Sequence, residues 1–286
     1  MIRRLLACGL LVAATAHADP AAWRVAKNGH GELFLLGSVH YLRSSDYPLP
    51  AIVDELYRRA DGLVMELDLE NLDPQKVQTA FLSAALLPPG TSLRDVVAPS
   101  LYRRAERSAS TLGIDLHSFD RFEPWFAAIS ILDVGMARQG YRADKGLEQY
   151  LLAKAERDAK TITGLESLNS QIALFDELPQ KQQQLLLEQT VDELASSRAE
   201  MGRLIDAWRN GRLRAMTGAL MQDFDGFPGL YDALVRERNA AWVPTLEHLI
   251  DGRRRYLVVV GALHLVGKGS VVDLLRADGY EVSRVR

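Results

Sequence analysis

The chain is expected to fold as an α/β (α+β) protein, a central mixed sheet flanked by helices with a helix-rich middle. Three features lead there. Short apolar runs of strand character lie at both ends of the chain, long amphipathic stretches lie between them, and 48% of the 286 residues are hydrophobic, enough for a large core.

In chain order, Arg3 and Arg4 precede an apolar run from Leu5 to Thr15, which ends in Ala16-His17-Ala18. This pattern reads as a secretory signal peptide cut after Ala18. The run falls short of the ~20 apolar residues that a spanning helix needs. Cys8 stands too close to the arginines to make a lipoprotein box. The expected residence is therefore periplasmic or secreted, without stable membrane insertion. Cleavage would remove two of the 34 basic residues and the single cysteine, leaving 32 basic against 37 acidic side chains, a net charge of −5. A chain without thiols forms no disulfide and must build any site from His, Asp, Glu and hydroxyls. Its acidic balance argues against a nucleic-acid partner.

Residues 19–286 contain no further run long enough to cross a bilayer and no low-complexity linker, so they read as one domain. Strands are expected at Glu32 to Leu36, Gly62 to Leu67, Lys160 to Thr163, Tyr256 to Val260 and Glu281 to Val285. Pro124 suits the first turn of a helix opened by Glu123-Pro124-Trp125. Leu147, Tyr150, Leu151 and Ala155 repeat at helical steps. From Leu187 the apolar positions Val191, Leu194, Met201, Leu204, Ile205 and Trp208 predict one long helix, with Trp208 in the core. Leu234 to Ile250 reads as a helix stopped at Gly252, with Pro244 expected to kink or split it.

In sheets covered by helices, ligands collect beyond the carboxyl ends of the strands. Two of the expected strands end in the same way: Gly37-Ser38-Val39-His40 and Gly261-Ala262-Leu263-His264. Glycine lets the backbone leave the strand sharply and lets a ligand come close. Two more end on carboxylates, Glu66 in "DGLVMELDL" and Glu166 in "KTITGLESL". If these four runs share one sheet, His40, Glu66, Glu166 and His264 converge into a mixed nitrogen and oxygen site suited to Mn, Fe, Co or Zn. For Glu66 the alternative is a buried ion pair with an arginine, and for Glu166 it is a cap on the following helix. His30, His117 and His248 read as solvated.

These motifs, together with Pro124-Trp125, Gly164 to Glu166 with Gln171 and Phe175-Asp176, Arg238-Asn239 and the closing "VVVGALHLVGKGSVVDLLRADGYEV", resemble the TraB/GumN family, whose animal relatives include the Tiki proteases. The resemblance spans nearly all of residues 19–286. It implies a fold shared with erythromycin-esterase and haem-binding ChaN-like proteins, in which two related halves each supply one Gly-x-x-His. It also implies metal-dependent peptide hydrolysis, with Mn or Co as the metal (Zn or Fe as alternatives) and a peptide or protein as substrate. Carried over by motif, His40, Glu66 and His264 are the metal site, with Arg238 and Asn239 nearby; Glu166 is a further candidate ligand from the strand-end reading, and Glu66, Arg238 and Asn239 are the candidate catalytic residues. Glu66 would act as ligand or general base, and Arg238 as oxyanion donor, its alternative being a surface ion pair. Competing readings are a non-catalytic haem or metal binder, in which Tyr41 could join His40 at the iron, and an envelope protein that sequesters peptides.

Overall fold

The computed structural model describes residues 20–194, 197–222, 224 and 228–285. The expected signal peptide lies outside the described residues. Six strands form one sheet in the order β4-β3-β5-β2-β1-β6: β1 Ala22–Ala26, β2 Glu32–Ser38, β3 Gly62–Leu67, β4 Thr161–Glu166, β5 Tyr256–Gly261 and β6 Glu281–Arg284. β4, β3, β5 and β2 run parallel, while β1 is antiparallel to both β2 and β6. The expected mixed α/β sheet is thus present.

Strand composition follows position in the sheet. Leu33, Phe34, Leu35 and Leu36 of β2 are buried without interruption, as are Leu257 to Val260 of β5, because helices cover both faces of the sheet's centre. Edge strand β4 instead alternates, with Thr161 and Thr163 exposed around buried Ile162. A smaller apolar cluster, including Leu101, Ile131 and Leu187, joins the helices Pro99–Thr111, Pro124–Arg138 and Gln180–Glu193 beside the sheet.

Three expectations change. Strand β1 joins the sheet although it was not anticipated; the Asn28-Gly29 turn that pairs it with β2 is a recognisable hairpin signal. The long helix expected from Leu187 to Trp208 is two helices, Gln180–Glu193 and Ser197–Arg209. Leu187, Val191 and Leu194 belong to the small cluster, whereas Ile205 and Trp208 belong to the main core, and one straight stripe cannot enter two cores. Finally, Pro244 does not split its helix: Glu237–Asp251 runs through it, anchored on both sides by buried Trp242, Val243, Leu246 and Ile250. The irregular turn lies earlier, a π-helical segment at Asp232–Arg236. Gly252 caps the helix end as expected.

Trp208 is fully buried, and its indole N–H donates to the Gly37 carbonyl at 2.7 Å. That bond ties the helix Ser197–Arg209 to the end of β2, where the first Gly-x-x-His begins. Trp208→Phe removes the donor and leaves the buried carbonyl unpaired, so stability is expected to fall by about 1–3 kcal/mol. Urea denaturation measures this, and an unchanged midpoint would contradict it.

Candidate active site

The parallel half of the sheet brings the carboxyl ends of four neighbouring strands to one edge. Gly37 and Ser38 lie beside Val260 and Gly261, and Leu67 beside Glu166. A cleft of about 220 Å³ opens there, lined by His40, Met65, Glu66, Leu67, Glu148 and Gln171 among others. Gly261, at the end of β5, donates its N–H to Glu66, one of the lining residues. A Cβ at that position would lie 3.4 Å from Glu66 Oε1, 3.4 Å from His40 Nε2 and 3.5 Å from His264 Cδ2. Three residues from three strand ends therefore surround one small gap that glycine leaves open.

Arg238, on the helix Glu237–Asp251, forms the centre of the charge network. Its Nε and Nη2 donate to Glu166 at 2.7 and 3.0 Å, a bidentate pair, and Nη2 also donates to Glu66 at 2.6 Å. Nη1 donates to the Leu234 carbonyl at 3.2 Å and meets His264 Nε2 at 3.1 Å. These bonds use all five N–H groups of the guanidinium, so Arg238 has none free for a substrate oxyanion. Its side chain is 12% exposed, which rules out the surface ion pair considered for it. Glu66 does form an ion pair with an arginine, as its alternative reading anticipated, largely withdrawn from water at 16% exposure, and it also accepts the Gly261 N–H at 2.8 Å. Both oxygens of Glu166 are occupied by Arg238, one of them also by the indole N–H of Trp242 at 2.8 Å. Glu166 is therefore no helix cap, a role that Ser167 takes, and it reaches the histidines through Arg238 and Trp242.

Each histidine is anchored through its δ nitrogen. His264 Nδ1 stands 2.7 Å from Asn239 Oδ1, and the fully buried Asn239 donates in turn to the Gly269 carbonyl at 3.0 Å. An amide oxygen only accepts, so Nδ1 carries the proton and the Nε2 lone pair meets Arg238. His40 Nδ1 stands 2.7 Å from Glu148 Oε1, leaving its Nε2 beside Gly261. His40 keeps 59% of its side chain exposed against 7% for His264, so one imidazole faces solvent and the other packs against Trp242 with ring centres 4.5 Å apart.

These surroundings bias the charges. Glu148 raises the His40 pKa to about 9, outweighing desolvation, with part of that attraction screened where the ring meets water. Burial lowers His264 to about 4 despite the attraction of Glu66. Burial would raise Glu66, but the charges of His264, Arg238 and His40 and the Gly261 N–H lower it to about 2. With His264 neutral at pH 7, Arg238 and His40 are the cations that keep Glu66 ionised.

The structure brings His40, Glu66, His264, Arg238 and Asn239 into one site, with Glu166 behind Arg238. Glu148 was missed by sequence reasoning. A carboxylate in the first turn of an amphipathic helix is commonplace, and it reads as a partner of the helix dipole. Tyr41 donates its hydroxyl to Asp133 at 3.1 Å. Of the outlying histidines, His248 is exposed, while His30 pairs with Asp251 and His117 with Asp120 at the surface. Among the described residues, no group of three or more His, Cys, Asp or Glu is arranged to hold a metal ion; in this structure the positive charge between the carboxylates is a guanidinium.

A family model described as TraB/PrgY/gumN matches residues 21–284. The chain is 29% identical over 248 residues to the uncharacterized protein YbaP of Escherichia coli strain K12, covering 87% of this chain and 89% of that one. It is 24% identical over 302 residues to the metalloprotease TIKI1 of Danio rerio, covering 87% of this chain and 60% of that one. To the metalloprotease TIKI2 of Xenopus tropicalis it is 23% identical over 314 residues, with 91% and 58% covered. No solved structure matches the chain.

Two outcomes follow from this charge arrangement. Arg238→Met would leave Glu66 and Glu166 buried without their cation, and is expected to cost about 3–5 kcal/mol in denaturant unfolding; a loss under 1 kcal/mol would refute the central role of Arg238. Stability should also depend on pH in both directions. Between 4 and 6.5 the unfolded chain binds a proton at His264 that the folded chain refuses, so stability rises with pH. The His40 contribution is complete below 6.5 and is lost as pH rises through about 9, because the folded chain holds a proton there that the unfolded chain has released. Urea midpoints of metal-free protein should therefore peak near pH 6.5, and His40→Asn should remove the alkaline decline; a decline of unchanged size in His40→Asn would contradict the assignment.

Proposed function

The chain belongs to the TraB/PrgY/gumN family, and on that premise we propose that it is a metal-dependent hydrolase of peptide or protein substrates, working at the carboxyl ends of β2, β3 and β5. The observation that carries this reading is the gap at Gly261, where Glu66 Oε1 and the Nε2 of His40 both come within 3.4 Å of the point a Cβ would occupy, with the His264 ring 3.5 Å from it. The metalloprotease names of the TIKI relatives support it.

By type the donors suit a transition metal, two imidazoles each with its δ nitrogen tied to an acceptor and one carboxylate held ionised, although they are not arranged around an ion while Arg238 holds His264. His40, Glu66 and His264 would hold the ion, manganese or cobalt in first place and zinc or iron as alternatives. When bound, such an ion polarises a carbonyl and makes water a usable nucleophile near neutral pH.

The remaining chemistry belongs to the chain. A carboxyl held at about 2 is a poor proton acceptor near pH 7, so Glu66 fits a ligand better than a general base. Glu166 acts as a positioning residue that grips Arg238 from behind in a bidentate pair, and it is not among the side chains around the gap at Gly261. Asn239 fixes the His264 tautomer with the proton on Nδ1. Arg238 Nη1 and a metal would compete for the same His264 lone pair. A ligand role for His264 requires Arg238 to release it, which leaves Arg238 one N–H for the carbonyl oxygen of a substrate. We further place the mature protein in the periplasm or outside the cell, on the strength of the signal-peptide pattern of residues 1–18.

The test uses purified protein stripped of metal and refilled singly with Mn, Co, Zn or Fe, then offered a library of unstructured peptides. One metal is expected to give turnover that His264→Ala abolishes. Cleavage with none of the four, or cleavage that survives His264→Ala, would overturn the proposal.

A further inference from the structure

The proposed ligand His40 has a support that the motif does not contain. Its Nδ1 lies 2.7 Å from Glu148 Oε1, and the same carboxylate accepts the Ser38 hydroxyl from two residues earlier on the strand end. Glu148 is 16% exposed, so its charge is largely withdrawn from water, and a carboxylate in such a place persists only when paired.

The surrounding chain is built to put it there. Glu148 stands in the first turn of the helix Leu147–Asp158, where the helix dipole favours a carboxylate. The segment leading into that turn is fastened to the strand-end loop: Leu42 and Arg142 exchange backbone hydrogen bonds at 3.3 and 3.0 Å, the Leu147 N–H donates to the Val39 carbonyl at 3.2 Å, and the Tyr47 hydroxyl donates to the Lys145 carbonyl at 2.7 Å. Gly146 lies so close to the loop that a Cβ there would stand 2.3 Å from the His40 carbonyl oxygen. Two stretches about a hundred residues apart are thus held in register, and what meets at their junction is a carboxylate and the δ nitrogen of His40.

We infer that Glu148 is the positioning residue for His40: it holds the proton on Nδ1 and leaves Nε2 directed to the gap at Gly261, just as Asn239 holds the proton on Nδ1 of His264. This rests on the reading of His40 as a metal ligand. The two supports differ in kind. A carboxylate strengthens the ligand basicity of an imidazole more than an amide does, so the two histidines would not be equivalent ligands. His40, the solvent-facing one, would be the stronger donor.

The experiment compares the full-length mature protein with Glu148→Gln, Glu148→Ala and Ser38→Ala. Zinc affinity is measured by calorimetry, and the ring nitrogens of His40 are followed by nitrogen-15 NMR in the zinc-loaded protein. Wild type is expected to carry zinc on His40 Nε2 with Nδ1 protonated. Glu148→Gln, which keeps the volume and an acceptor oxygen, is expected to weaken zinc binding about 10-fold, and Glu148→Ala toward 100-fold with His40 divided between its two nitrogens. Ser38→Ala, which leaves the Glu148–His40 bond in place, should lose less than Glu148→Gln. Should Glu148→Ala fail to fold, the isosteric Glu148→Gln still decides. Affinities within twofold of wild type in folded Glu148 variants, with His40 still on Nε2, would overturn the positioning role while leaving the metal site intact. A wild-type His40 whose nitrogens do not respond to zinc, manganese or cobalt would instead overturn the metal reading on which the inference stands.

Discussion

The site depends on one largely enclosed cation. Parallel strands β3 and β4 end in carboxylates, Glu66 and Glu166, at neighbouring positions, and a sheet edge covered by helices cannot hold two such charges unpaired. Arg238 answers both, and its five N–H groups are distributed between the two carboxylates, a backbone carbonyl and His264. The helix Glu237–Asp251 is the element that delivers it, and the same helix delivers Asn239 and Trp242 to the other sides of His264 and Glu166. Three contacts from one helix therefore fix the enclosed half of the site.

The two halves of the site differ in charge although their sequence motifs match. His264 is enclosed, supported by a neutral amide and pressed against an indole, so its neutral form is favoured. His40 is open to solvent and supported by a carboxylate, so its charged form is favoured until something takes its proton. A pair of identical imidazoles is thus converted into one resting base and one resting acid, with Glu66 ionised between them. An arrangement of this kind is sensitive to any incoming cation, because Arg238, His40 and that cation compete for the same negative charge.

The fold behind the site follows ordinary covering rules. Strands buried on both faces are continuously apolar, the edge strand alternates, and the apolar stripe from Leu187 to Trp208 divides where it passes from one cluster to another. That division was illegible because periodicity reports which face of a helix is apolar, not which core it meets. Strand β1 carried a readable hairpin signal in Asn28-Gly29, whereas the π-helical turn at Asp232–Arg236 has no local composition that announces it.

The amino-acid sequence by itself determined the mixed α/β class, the two Gly-x-x-His strand ends and the carboxylates Glu66 and Glu166, because strand periodicity and the glycine exits are local patterns written over a few residues. It did not determine what those groups touch. That Glu148 would lie beneath His40, that Glu166 would turn to Arg238 and Trp242 instead of the histidines, and that Arg238 would have no donor left over were decided only by tertiary structure. The physical reason is that hydrogen-bond partners more than seventy residues apart are chosen by the register of strands and the seating of helices, and a side chain's neighbours, not its identity, set its charge.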